Sequence, residues 1–128
     1  VLADFAASPN SNSLYKHMPG GFFSYEAFGD ERILSSNSYL WEMFGFDNEA
    51  DFMDHVHGSF KGIVSPDELD AVEESIAQQI KDNHREMDFV KYHIVHKDGS
   101  KLPVVDYGHL AHQDNKDIFY VFLYEDKE

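Results

Sequence analysis

Residues 94–106, Ile94-Val95-His96-Lys97-Asp98-Gly99-Ser100-Lys101-Leu102-Pro103-Val104-Val105-Asp106, read as two β-strands joined at an Asp-Gly turn. A two-residue type I′ turn needs positive φ at both central positions; Asp tolerates that and Gly accepts it freely. Upstream, Val90, Tyr92 and Ile94 fall on one face of an extended chain and Phe89, Lys91, His93 and Val95 on the other. Downstream, Leu102 and Val104 alternate with Pro103, Val105 and Tyr107. Both flanks are rich in β-branched and aromatic residues, which suit a pleated, half-buried surface. A three- or four-residue loop fits nearly as well as a two-residue one, so the hairpin is predicted and its register stays open. Pro103 lacks an N–H and belongs near a strand start, a bulge or an unpaired position.

Toward the N-terminus, Gly21 to Phe28 alternates as a first strand ended by Gly29-Asp30, and Arg32 to Ser35 supplies a short second strand. Ser36-Asn37-Ser38 offers N-caps for a helix over Tyr39 to Phe44, with Gly45 placed to end it. Asn48 can cap the next short helix, with Glu49 and Asp51 at its positive end. Ser65, Pro66 and Glu68 make a capping box with proline at the first helical position. Leu69, Val72, Ile76 and Ile80 then run down one face of a long helix ending near Asn83, with Glu74, Gln78 and Asp82 opposite. Strands are predicted over Glu86 to Lys97, Lys101 to Ala111 and Asp117 to Tyr124. The last is apolar on both faces, as expected of a central strand or one with a covered outer face. Strand, strand, short helices, long helix and three strands, with the helices on one side of one sheet, make an α+β domain.

A chain of 128 residues fits one domain with one real core, and 42% hydrophobic content agrees with a folded protein. Residues 1–18 are expected to be an N-terminal cap or linker, and residues 19–126 the domain. No apolar run approaches the ~18 residues of a membrane span. The start Val1-Leu2-Ala3-Asp4-Phe5 lacks the basic opening and apolar centre of a secretion signal. No initiator Met is present, which reads as a segment of a longer protein. The absence of cysteine excludes disulfides, thiol catalysis and thiolate metal sites, and sits easily with the cytosol. A net charge of −14, from 24 acidic and 10 basic residues, opposes binding to nucleic acid or anionic lipid.

Four phrases in order resemble a PAS domain: Pro19-Gly20-Gly21-Phe22-Phe23; Ile33-Leu34-Ser35-Ser36-Asn37 leading to Tyr39-Leu40-Trp41-Glu42-Met43-Phe44-Gly45-Phe46; Val64-Ser65-Pro66-Asp67-Glu68; and Tyr92-His93-Ile94-Val95-His96-Lys97-Asp98-Gly99-Ser100. The resemblance covers about residues 19–126. It implies a five-stranded antiparallel sheet in the order 2-1-5-4-3 with helices on one face, which puts the last strand in the centre. It also implies a cytoplasmic sensory or regulatory module, not an enzyme, within a parent protein that can be membrane-anchored. The opening Pro19-Gly20-Gly21 looks like modules attached to diguanylate cyclase (GGDEF) output domains. A histidine-kinase sensor module is the alternative parent, and a ligand-free dimerisation or docking scaffold the alternative role. The implied partners are a second copy in a homodimer, an output domain of the same polypeptide and a small molecule, without nucleic acid or direct membrane contact.

No cofactor is identified. The photoactive flavin and cinnamoyl chemistries of the family need a Cys that this chain lacks, and His84, just past the long helix, is more readily a solvent-exposed residue than a haem ligand. No phosphate-binding Gly loop, nucleophile elbow or paired His motif is present, so no catalytic or metal residue is assigned. A ligand is expected between the inner sheet face and the helices over Tyr39 to Ile80, lined by Tyr25, Trp41, Phe44, Val90, Tyr92 and Tyr120. Strand phase stays open, because one slip exchanges the two faces. Phe119, Val121 and Leu123 are candidates for a dimer face if Ile118, Tyr120, Phe122 and Tyr124 point inward.

Overall fold

A computed structural model describes residues 19–127. The cap or linker expected over residues 1–18 lies outside the described residues. The elements run β1 (Gly21–Glu26), β2 (Ile33–Ser36), α1 (Ser38–Met43), α2 (Glu49–His55), a 3-10 turn (Phe60–Gly62), α3 (Leu69–Asp82), β3 (Met87–Val95), β4 (Lys101–Gln113) and β5 (Lys116–Glu125). The strands form one sheet in the order β2-β1-β5-β4-β3, with every neighbouring pair antiparallel. This is the expected α+β architecture, with the final strand between the first and the fourth.

Strand phase follows from the register. Phe23 pairs with Val121 and Tyr25 with Phe119; Asp106 pairs with Val90 and Leu123, and Val104 with Tyr92. Phe23, Tyr25, Val90, Tyr92, Val104, Phe119, Val121 and Leu123 are buried in one core with Leu40, Phe44, Phe52, Phe60 and Ile76 from the helical side. The inward set of β5 is therefore Phe119, Val121 and Leu123, and Ile118, Tyr120, Phe122 and Tyr124 alternate onto the outer face. The conditional dimer-face assignment is reversed: the register with Phe23 and Asp106 turns Phe119, Val121 and Leu123 into the core. On that outer face the Phe89 and Tyr107 rings lie 4.7 Å apart and the Tyr107 and Tyr124 rings 6.1 Å apart.

The β3–β4 turn differs from a two-residue loop. Val95 pairs with Lys101, His96 N donates to Ser100 O at 2.8 Å, and Gly99 N donates to His96 O at 2.8 Å. Gly99 takes φ +89 while Asp98 is absent from the positive-φ residues. This is a three-residue loop, Lys97 to Gly99, with glycine at its left-handed position. Asp98 serves through its side chain, whose Oδ1 accepts from Ser100 N at 2.9 Å and Ser100 Oγ at 2.6 Å. Pro103 sits opposite His93 near the start of β4, before that strand's pairing with β5 begins.

The short-helix caps are as predicted. Asn37 Oδ1 accepts from Leu40 N at 3.1 Å and from Phe22 N at 2.9 Å, so one buried amide caps α1 and fixes the start of β1. Asn48 Oδ1 accepts from Asp51 N at 2.8 Å. The capping box at Ser65 does not form. The long helix begins at Leu69 without a side-chain cap, and Ser65 Oγ donates to Asp67 instead. Glu68 is drawn to the sheet, where its Oε1 accepts from His93 N at 2.7 Å, and Ser65 N donates to His93 O at 2.8 Å. Gln79 brackets Phe89 in the same way, accepting from its N at 2.9 Å and donating to its O at 3.0 Å. β3 is an edge strand, and these contacts occupy polar backbone groups that would otherwise offer a pairing edge.

Candidate ligand cavity

A cavity of about 370 Å³ lies between the sheet and the C-terminal half of α3. Tyr25 and Ala27 of β1, Leu110 of β4 and Phe119 of β5 supply its sheet wall; Glu73, Ile76 and Ile80 of α3 face them, with Phe60 and Glu31 at one side. It opens beside Phe28, Ala77 and Lys81, all exposed. The Tyr25 ring stacks on Phe60 at 4.5 Å with planes 2° apart and on Phe119 at 5.2 Å. The three rings are stacked on one another as one aromatic wall.

The polar groups are carboxylates. Glu31 sits in the β1–β2 loop at φ +53, and its backbone O accepts from Phe60 N at 3.0 Å. Ser59 Oγ donates to Asp30 O at 2.6 Å, which ties the same loop to the 3-10 turn. Glu31 is thereby held against Glu73 of α3. Glu31 Oε1 and Glu73 Oε2 are buried, and no ordinary donor among the described residues reaches them. The two carboxyls nevertheless lie within hydrogen-bonding reach of each other. Both observations hold together if one carboxyl carries a proton. Burial, and then the Glu73 carboxyl, push the Glu31 pKa up to about 8.

Behind Tyr25 lie further acids. Asp106, 1% exposed, accepts from the Tyr92 hydroxyl at 2.6 Å, and burial pushes its pKa up to about 8. Asp88, 4% exposed, is held at about 6 by burial, and its Oδ1 has no partner among the described residues. Gly108 faces it across the β3–β4 pair, and a Cβ there would fall 2.6 Å from Asp88 Oδ2. Burial, then Asp106, Glu31, Asp88 and Glu73, raise the Tyr25 pKa well above its ordinary value. Four carboxyl groups thus converge electrostatically on one phenol.

Of the residues expected to line a ligand site, Tyr25 lines this cavity. Phe44 is fully buried, edge-on to Phe52 at 5.1 Å. Tyr92 is enclosed, with its hydroxyl on Asp106, and Val90 is buried on the same face under the start of α3. Trp41 is half-buried, with Nε1 donating to Ser36 Oγ at 2.8 Å. Tyr120 is on the opposite face of the sheet, where its hydroxyl donates to Gln113 at 3.0 Å. The sequence reading did not single out Glu31, Glu73, Asp88 or Asp106. Glu73 falls three residues before Ile76 and four after Leu69, so helical spacing already placed a carboxylate within the apolar stripe. Asp88 shares the period-two phase of Val90 and Tyr92, and Asp106 that of Val104.

The PAS fold family model matches residues 33–122. This chain belongs to the PAS fold family. It is a PAS-fold sensory domain, a module whose family role is to report a signal rather than to catalyse a reaction. No curated protein matches it. Among solved structures it is similar to the PAS domain of an HTR-like protein from Haloarcula marismortui, with TM-score 0.72 and 16% identity over 98% of this chain and 94% of that one. It is similar to a PAS domain from Colwellia psychrerythraea, with TM-score 0.74 and 10% identity over 91% and 94%. It also resembles a domain of a sensory box sensor histidine kinase/response regulator from Geobacter sulfurreducens, with TM-score 0.62 and 20% identity over 91% and 94%. At these identities the likeness is one of fold. Among the described residues no helix of the PAS domain is long and apolar enough to cross a membrane.

Proposed function

We propose that this PAS domain, spanning residues 19–126 with 1–18 as its cap or linker, senses a small molecule in the cavity beneath α3. Its occupancy is passed to an output domain of the same cytoplasmic polypeptide. The observation that carries this reading is the cavity itself: about 370 Å³, mostly apolar, with a few converging polar groups, which is the make-up of a small-ligand site. The similar domains from sensor histidine kinases favour a kinase parent over a diguanylate cyclase (GGDEF) one. Pairing of two copies would couple the sensor to such an output, and the aromatic row of Phe89, Tyr107 and Tyr124 on the outer face is the surface offered for it.

A ligand-free docking scaffold is the second reading, favoured by one observation: Phe44 and Tyr92 fill the middle of the core with side chains. Native mass spectrometry of the protein incubated with a small-molecule extract, before and after denaturation, separates the two. A stoichiometric small molecule released by denaturation, and excluded by Ala77→Trp at the cavity mouth, supports sensing. Retention of the same molecule by Ala77→Trp removes it from this cavity, and no bound molecule from any extract leaves the scaffold reading. Sedimentation equilibrium at ~0.15 M salt, where surface charges are largely screened, tests pairing; a single species of 14.7 kDa throughout rejects it.

A further inference from the structure

We propose that the cavity takes a small organic cation, an ammonium, amidinium or guanidinium carried on an apolar or aromatic body, with its charged head between Glu31 and Glu73 and its body on Tyr25, Phe60 and Phe119. The inference rests on the sensing function above and names its ligand class.

Three observations converge. First, Glu31 Oε1 and Glu73 Oε2 are both shut away from water, and apart from a proton shared between the two carboxyls no donor among the described residues reaches either. Buried carboxyl oxygens short of donors are costly, and a cation with several N–H groups supplies more of them than one shared proton does. Second, the rest of the lining is apolar, with Tyr25, Phe60 and Phe119 stacked as one aromatic wall against which an apolar or aromatic body packs. Third, and independent of the glutamate pair, Asp88 is 4% exposed with Oδ1 unpartnered among the described residues, and its charge acts on Tyr25 from behind the cavity wall. The cationic side chains nearby are Lys61, whose charge opposes the rise at Glu31, and Lys81, exposed at the rim. An anion would meet this field unfavourably. A neutral molecule would leave the carboxyl oxygens as they are. A bare metal ion is a poorer fit, because among the described residues no three His, Cys, Asp or Glu groups come together to hold one.

The proton has a place in the same scheme. In the empty cavity the glutamate pair shares one proton. A bound cation replaces it, and the proton leaves to water, so that charge in the site is conserved. Binding then takes in one ligand charge and releases up to one proton.

The test uses the full chain and matched probes: phenylpropylammonium, phenylpropanol and phenylpropanoate, with hexylammonium, hexanol and hexanoate as the non-aromatic set. Isothermal titration calorimetry at neutral pH, in two buffers of different ionisation enthalpy, reads affinity and proton release together. The expected result is an ammonium at least about tenfold tighter than its alcohol, with the carboxylate weakest and a proton released. The Glu31→Gln/Glu73→Gln double variant, shown folded by its melting curve, should bind ammonium and alcohol alike and release no proton. Equal affinity of ammonium and alcohol for the unaltered protein overturns the cation class while leaving cavity sensing intact. An ammonium preference that survives in the double variant moves the cation elsewhere and also overturns the proposal. If none of the probes binds, the cation class falls, and cavity sensing is decided separately by the mass-spectrometric experiment.

Discussion

The Tyr92 hydroxyl donates to Asp106 Oδ2 at 2.6 Å in a core where both residues are buried. Burial raises the Asp106 pKa from 3.8 to about 8, more than the Tyr92 hydrogen bond lowers it. The folded state therefore holds the Asp106 proton more tightly than the unfolded chain does. This group's contribution to stability is full below about pH 4 and is lost as pH rises through about 8. Asp106→Asn keeps an acceptor for Tyr92 without the charge. Urea titrations from about pH 6 to about pH 9 should show the variant gaining on the unaltered protein as pH rises. Parallel profiles would refute the assignment. Tyr92→Phe removes the donor and should cost about 1–3 kcal/mol, most at the alkaline end.

Gly108 and Asp88 occupy one space. A Cβ at Gly108 would stand 2.6 Å from Asp88 Oδ2 and 3.1 Å from its Cγ. Gly108→Ala should destabilise by about 1–3 kcal/mol through overpacking. The loss should shrink markedly in an Asp88→Ala background, because the obstructing carboxylate is gone. Additive losses in that double-mutant cycle would show that the backbone, not Asp88, requires glycine here.

Gln79 satisfies both backbone groups of Phe89 on the edge strand. Gln79→Ala should cost about 1 kcal/mol and speed hydrogen exchange at the Phe89 amide well beyond the other amides of β3. Uniform exchange changes along β3 would mean that the side chain acts on the whole strand and not at this one rung.

His112 joins β4 to two acids: its Nδ1 lies 2.5 Å from Asp117 Oδ1 and its Nε2 2.7 Å from Glu86 Oε2. Asp117 first, then Glu86, raise its pKa above the usual 6.5. The stabilisation is present below the unfolded value and fades as pH rises through the folded one. Titration of the His112 ring protons by NMR should give a midpoint above about 6.5, lowered by Asp117→Asn and by Glu86→Gln in turn. A midpoint indifferent to both changes would detach the imidazole from these partners.

Much of the fold was legible because it rests on local pattern. Val90, Tyr92 and Ile94 alternate with Lys91 and His93, and the inner face of β3 is that set. The two-faced apolarity of β5 correctly signalled a central strand. Its orientation was not legible, since Phe119 and Phe122 are equally apolar and only the register with Phe23 and Asp106 decides which points inward. The capping box at Ser65 failed for a tertiary reason: the unpaired amide of His93 on the sheet edge attracts Glu68 more strongly than the helix terminus does. The cavity was harder still. Aromatic residues are its expected marks, yet Phe44 and Tyr92 serve as filling, while the distinguishing groups are carboxylates at positions where apolar residues are the norm. Glu31 had no sequence signal, because its aim depends on a left-handed backbone at a non-glycine residue.

The position of β5 decides when this molecule can exist. Before Lys116–Glu125 arrives, β2–β1 and β3–β4 are two separate ladders with nothing between them. Phe23 finds Val121 only across nearly the whole described chain, a pairing of high contact order. On the ribosome, therefore, the sheet stays open until its last strand leaves the exit tunnel. During that interval the phenylalanines and tyrosines of the inner face are free for chaperones to hold. A chain cut before Lys116 is not a smaller version of the domain but two unjoined halves. Translation of the final strand, more than any earlier event, commits the polypeptide to its native state.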